Sequence, residues 1–276
     1  MAWHGHLELA FRREGSRTLS HDRHHGPLRV LQRLYPEGDG VCHQVLVHPP
    51  GGLVGGDTLT LQMQLDEGAH ALVTTPGATR FYRSEGAWAE QTVTAGLADG
   101  ARLEWLPLET LAYPRCLGRN RLSFALAPQA QMIGWDVLAL GLPAAGQPFD
   151  EGCFEQHLEW PGMWLERGVV DGRDHLLRDS PLGLAGHGTL ATLWLGEGSA
   201  LPRARREALL ELARAHIEAA PPAVMAGVTA PRDGLLVLRA LGPKVEPVMA
   251  LLQSVWGGWR QCHWGLEARS PRIWRT

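Results

Sequence analysis

Between residues 41 and 111 the chain repeats one pattern roughly every ten residues: a short alternating apolar run, then a turn bearing Gly, Pro or Asp. The runs VCHQVLVHP (41–49), TLTLQMQLDEG (58–68), HALVTTPG (70–77), QTVTAGL (91–97) and RLEWLPLETL (102–111) all have strand periodicity. In TLTLQMQL, Leu59, Leu61, Met63 and Leu65 share one face, and Thr60, Gln62 and Gln64 share the other. Asp66-Glu67-Gly68 and Asp99-Gly100 supply turn chemistry between the runs. No helical period intervenes, which points to antiparallel or coiled all-β structure rather than a doubly wound sheet.

The last third changes character. LPRARREALLELARAHIEA (201–219) carries a helical period, with Ala208, Leu209, Leu212, Ala215, His216 and Ala219 on one side. Pro202 suits its first turn and Pro221-Pro222 ends it. VEPVMALLQSVWGGWRQ (245–261) predicts a second helix closing at Gly257-Gly258, and GLLVLRAL (234–241) reads as a buried strand between them. No linker separates this α/β part, about 201–276, from the β-rich body, about 1–200. The expectation is one domain over 1–276.

Composition narrows the function. A formal net charge of -3 offers no basic excess for a polyanion. Lys244 is the only lysine beside 25 arginines, a bias that reads as genome composition. Eleven tryptophans suggest either an aromatic binding surface or core filling; Trp105, Trp135 and Trp160 lie in strand-like runs, which favours burial. No apolar run is long enough for a signal region or a membrane span, and Cys42, Cys116, Cys153 and Cys262 are unclustered. Those features predict a reducing cytoplasm.

The densest motif is HPPGGLVGGDTL (48–59), four glycines in six positions with Asp57 leading into a strand. It lacks the Lys of a nucleotide-binding P-loop, and a strand follows rather than a helix. It reads as a tight double turn, or as a turn presenting Asp57 as a ligand. LVTTPGATRFYRS (72–84) sets Thr79, Arg80 and Arg83 around Phe81 and Tyr82, either an anion site or arginines lying on rings. Seven of the thirteen histidines precede residue 49, including His21, His24 and His25 in SHDRHHG, which reads as a solvated loop without the ligand count of a zinc site. No serine sits in a nucleophile elbow, and Cys116 would need a histidine brought to it in space. Glu104, Glu109, Asp136, Glu159 and Glu166 offer carboxylate pairs, as any chain of this size does. The residues by themselves supply no catalytic machinery and leave two readings open: a metal-dependent hydrolase using Asp57, His48 and other histidines, or a β-rich carbohydrate-binding module using its tryptophans.

Six stretches in order resemble the urease accessory protein UreD family, called UreH in some bacteria. HPPGGLVGGDTL is similar to the family's H-P-P-G-G-[IVL]-V-G-G-D-x-L, TTPGATRFYRS to T-T-x-[GA]-A-[ST]-K-x-Y-R-S, and LEWLPLETL to L-E-[WY]-L-P-Q-[ED]-x-I. WDVLALGLPAAGQPFDEG (135–152) is similar to W-[DE]-x-x-x-L-G-R-x-A-x-G-E-x-F; LVLRALG and the closing PRIWRT (271–276) complete the set. Leu108, Arg80 and Leu142 depart from the family's Gln, Lys and Arg.

The resemblance implies a mainly β, coiled β-helix-like or stacked-sheet body with two α-helices in the C-terminal region. It implies a non-catalytic maturation factor that binds apo-urease and UreF and, through UreF, the GTPase UreG. Nickel would pass through an internal tunnel to the urease site, with no tightly bound cofactor. The tunnel-lining polar groups it implies fall on Asp57, Thr79, Asp136 and Glu166. Oxygen donors suit such transit, because they compensate a divalent ion's dehydration without trapping it.

Overall fold

The computed structural model describes residues 2–275. The chain starts with a hairpin of β1 (His4–Glu14) and β2 (Arg17–His25), and β3 (Arg29–Val30) then pairs with β4 (Cys42–Val47). From β4 onward the backbone coils between two facing sheets. β5 (Thr58–Leu65), β8 (Ala89–Leu97), β11 (Leu117–Leu126) and β13 (Cys153–Trp160) lie in parallel in the first sheet. β4, β6 (His70–Thr74), β9 (Arg102–Trp105) and β12 (Gln131–Leu140) lie in parallel in the second. Two short strands, β7 (Thr79–Phe81) and β10 (Thr110–Ala112), continue the courses of β6 and β9. Each circuit thus adds one strand to each sheet, the geometry of a β-solenoid. Its turns stack, as where the Gly68 N–H donates to the Asp99 carbonyl at 3.2 Å.

The final strands close both sheets. β14 (Trp164–Asp171) pairs antiparallel with β13, and the five-residue helix α1 (His175–Asp179) leads to β15 (Thr189–Glu197) beside β12. Helix α2 (Arg203–Glu218), strands β16 (Met225–Arg232) and β17 (Leu235–Gly242), and helix α3 (Val245–Trp264) follow. β17 pairs with β15, so the C-terminal strands extend the second sheet of the body. Seven strands make the first sheet and ten the second.

Strand alternation builds two apolar layers. Leu7, Leu9, Phe11, Leu59, Leu61, Phe124 and Trp194 pack between the sheets. The other face of the second sheet packs Trp135, Leu193 and Leu238 against Leu209 of α2 and Trp256 and Trp259 of α3. The periodicity expected of β5 holds: Leu59, Leu61, Met63 and Leu65 are all buried. Trp105, Trp135 and Trp160 are core residues with 3%, 0% and 2% exposure, so they form no exposed aromatic face for a glycan.

Helix α3 is fixed to the body by charge as well as packing. The Glu104 carboxylate accepts hydrogen bonds from Trp256 Nε1 (2.7 Å) and Arg260 Nε (3.0 Å), and lies 2.8 Å from His70 Nε2. Arg260 Nη2 also reaches Glu37 (2.6 Å), whose other oxygen lies 2.7 Å from His43 Nε2. Burial alone would raise the Glu104 carboxyl, but His70, Arg260 and Trp256 together hold it below the usual carboxylate range. Burial pushes His70 down despite Glu104, so it serves as a neutral donor while Arg260 supplies the charge.

Three local expectations change. SHDRHHG is not a loop: Ser20–His25 lie in β2, an edge strand whose outer half stays exposed and therefore needs no apolar phase. The second helix does not close at Gly257-Gly258 but continues to Trp264, with Gly265 at a φ of 67° as its cap. A Cβ at Gly258 would lie 2.5 Å from Leu212, so this glycine serves the approach of α2 to α3. On α2 the buried residues are Leu209 and Ala213, while Ala208, Ala215 and Ala219 face outward. The short α1 has no counterpart in the helical periods of the sequence. Of the closing PRIWRT run, Thr276 lies outside the described residues.

Candidate functional site

The two Gly/Pro-rich motifs fold onto each other. The Leu53 N–H donates to the Arg80 carbonyl (2.7 Å) and the Tyr82 N–H to the Leu53 carbonyl (2.8 Å). A Cβ at Gly52 would lie 2.8 Å from the Arg80 carbonyl oxygen, so only glycine admits this pairing. Asp57 holds the turn shut: its carboxylate oxygens accept the backbone N–H groups of Trp3 (2.7 Å) and Val54 (2.9 Å). Arg80 reaches back to the Gly51 carbonyl at 3.4 Å.

Beside this corner the second sheet has a gap. Residues 75–78 separate β6 from β7, and residues 106–109 separate β9 from β10, whereas β12 runs unbroken past both breaks. Pro76 and Pro107 sit in the two breaks, where they can donate no ladder hydrogen bond. A cavity of about 260 Å³ opens there, lined by His48, Gly51, Thr75, Thr79, Trp105 and, from the first sheet, Gln91. Burial pushes the His48 imidazole below its ordinary value, only partly opposed by Asp57.

From this cavity a line of polar side chains crosses the space between the sheets. Register sets Gln91, Asn120 and Gln156 opposite one another on β8, β11 and β13. On the second sheet Asp136, Thr192 and Arg239 are likewise in register on β12, β15 and β17. Gln91 Nε2 donates to Asn120 Oδ1 (3.1 Å), and Asn120 Nδ2 donates to Asp136 Oδ1 (3.0 Å). Gln156 Nε2 donates to the other Asp136 oxygen at 2.6 Å.

Asp136 and Gln156 line a second cavity of about 430 Å³, together with Glu166, Thr192 and Arg239. Asn120, buried, therefore links the walls of the two cavities. The Asp136 carboxyl is pushed up to about 6, chiefly by burial, with the charge of Glu166 adding and the Gln156 and Asn120 amides opposing. Its hydrogen-bond donors are neutral amides, so in its ionised form it is a carboxylate without a direct counter-ion. Glu166 is paired across the gap with Arg239, whose Nε lies 3.2 Å from Oε1 and whose Nη2 bonds Oε2.

Of the residues singled out from sequence, Asp136 and Glu166 come together in one cavity and Thr79 lines the other. Asp57 lines neither; its oxygens are taken by the turn it closes. Sequence reasoning passed over Gln91, Asn120, Gln156, Thr192 and Arg239. Three carried a usable signal, since Gln91, Asn120 and Gln156 occupy the apolar phase of their strands, beside Val93, Leu122 and Leu158. Cys116 is a buried thiol pushed up to about 12, chiefly by burial, so it is no activated nucleophile. Among the described residues no three His, Cys, Asp or Glu side chains converge as a metal cage, and no helix is long and apolar enough to cross a membrane.

Fold and site together define a class: a β-solenoid-like scaffold crossed by a polar layer that joins two cavities. The sequence profile described as UreD urease accessory protein matches residues 4–275. The chain is also 58% identical over 278 residues to the urease accessory protein UreD of Leptothrix cholodnii, covering 100% of both chains. It is 59% identical to that of Paracidovorax citrulli, covering 99% of both, and 56% identical to that of Variovorax paradoxus, covering 100% of both. The chain belongs to the UreD family of urease accessory proteins.

Proposed function

We propose that this chain is a cytoplasmic maturation factor of urease that acts as scaffold and nickel conduit rather than as a catalyst. In this reading it binds apo-urease and UreF, reaches the GTPase UreG through UreF, and passes nickel between its sheets to the urease active site. The observation that carries it is the row from Gln91 through Asn120 to Asp136 and Gln156, a polar layer in an otherwise apolar core. Amide and carboxylate oxygens replace part of a hydrated cation's shell, and the small ligand count at each point lets the ion leave again.

Thr79 would contribute a hydroxyl in the first cavity, and Asp136 and Glu166 would carry the charge in the second. Asp57 acts indirectly, by holding the loop that frames the first cavity. Nickel is cargo here, and no resident cofactor is required. Met225, which lines the second cavity and is 49% exposed, supplies apolar surface that a docked partner would cover.

The test is co-expression with urease and its other accessory proteins. Asp136→Ala combined with Glu166→Ala should leave the complex intact and lower the nickel content of the purified urease. Normal nickel content in that background would remove the conduit role.

A further inference from the structure

An ion pair between two lining residues of the second cavity links the two sheets. Glu166 projects from β14, the edge strand of the first sheet, and Arg239 from β17 of the second. The guanidinium engages both carboxylate oxygens, at 3.2 Å for Nε to Oε1 and through Nη2 to Oε2. Arg239 keeps 54% of its side chain exposed and Glu166 31%, so the arginine has free volume into which to turn. Among the described residues, Glu166 is the hydrogen-bonding partner of that guanidinium.

Charge arithmetic gives this contact its meaning. With Asp136 ionised, the two carboxylates would present two negative charges, the complement of one divalent cation. Arg239 cancels one of them and occupies the oxygens of Glu166 that the cation would use. An exposed ion pair is weakly held, so turning Arg239 outward costs little and restores both the charge and the ligands.

We propose that Arg239 is a latch on the cation path: paired with Glu166 it keeps the second cavity from retaining a divalent ion, and its displacement opens the site. This rests on the conduit reading above and adds the regulation of the same site. It also accounts for a charged residue in the inward phase of β17, between Val237 and Leu241, where its neighbours are apolar. Arg239 is a positioning residue in this scheme, acting through Glu166.

Equilibrium dialysis of the purified full chain against nickel chloride tests it. Wild type should bind nickel weakly, and Arg239→Gln should bind it roughly tenfold more tightly, the scale of one removed competing charge in a partly exposed site. Arg239→Lys keeps the positive charge and should stay close to wild type, whereas a clasp of purely structural value would leave all three alike. Adding Glu166→Gln to Arg239→Gln should abolish the gain. Unchanged affinity in Arg239→Gln, or a gain that survives loss of Glu166, overturns the latch. Neither result depends on urease loading, so the latch can fail while the conduit stands. Conversely, normal loading without Asp136 and Glu166 would remove the conduit while leaving the binding data in place.

Discussion

Two buried polar regions of this protein lie on opposite faces of the same sheet, and they are built on opposite principles. Under α3, Glu104 and Glu37 share the Arg260 guanidinium, and Trp256, His70 and His43 meet the remaining oxygens. Between the sheets, Asp136 is held by two neutral amides and faces a cavity. One region leaves little for a ligand to satisfy; the other leaves a charge unanswered. A satisfied ion cluster fixes a helix, whereas an unsatisfied carboxylate is where a cation gains most.

The contrast can be broken most forcefully at Arg260. Arg260→Ala strands Glu104 and Glu37 in the core and should destabilise the fold by about 3–5 kcal/mol in urea unfolding. A loss well below 1 kcal/mol would mean the two regions do not differ in the way described.

Asp136 should respond to pH in a way that sharpens the comparison. Its carboxyl rises from 3.8 to about 6 on folding, so the folded chain binds the extra proton between those values. Stability contributed by that protonation is fully present below about pH 4 and is lost as pH rises through 6. The loss is about 2–3 kcal/mol at neutral pH by the usual conversion of a pKa shift. Unfolding of wild type and Asp136→Asn at pH 4, 6 and 8 isolates it, because only the wild type should show that extra decline. Parallel profiles would show that Asp136 is better compensated than its contacts indicate.

Smaller effects belong to the neutral part of the layer and to the ion pair beside it. Gln91→Met leaves the Asn120 oxygen unpaired and should cost about 1 kcal/mol, while also reducing nickel in co-expressed urease. Loss of stability without loss of nickel would make Gln91 a packing residue. Arg239→Gln should change stability by less than about 1 kcal/mol, since its ion pair is partly exposed. A larger loss would reassign that pair as a clasp between the sheets.

Much of this was legible before folding. Alternation in 58–65 marked the core face of β5, while Gln91, Asn120 and Gln156, polar residues in an apolar phase, carried a signal that the sequence reading passed over. Glycine and proline punctuation marked the corner beside the first cavity, since Gly52 permits a backbone contact that no side chain could. The role of Asp57 was less legible: an acidic residue at a turn reads equally as a ligand or as a cap, and only its N–H partners separate the two. The helix end at Gly257-Gly258 misled because glycine serves both as a stop and as a contact surface.

By itself the sequence determined a mainly β chain, its strand phases, its two long C-terminal helices and, through ordered motifs, its family. Those properties depend on neighbours close along the chain and on backbone preference. Tertiary structure decided that Asn120 bridges Gln91 and Asp136, that Glu166 meets Arg239 across 73 residues, and that Asp57 closes a turn. Such pairings arise from register between coils and from the spacing of two sheets. Local periodicity shows which way a side chain points; only the assembled coil shows what it meets.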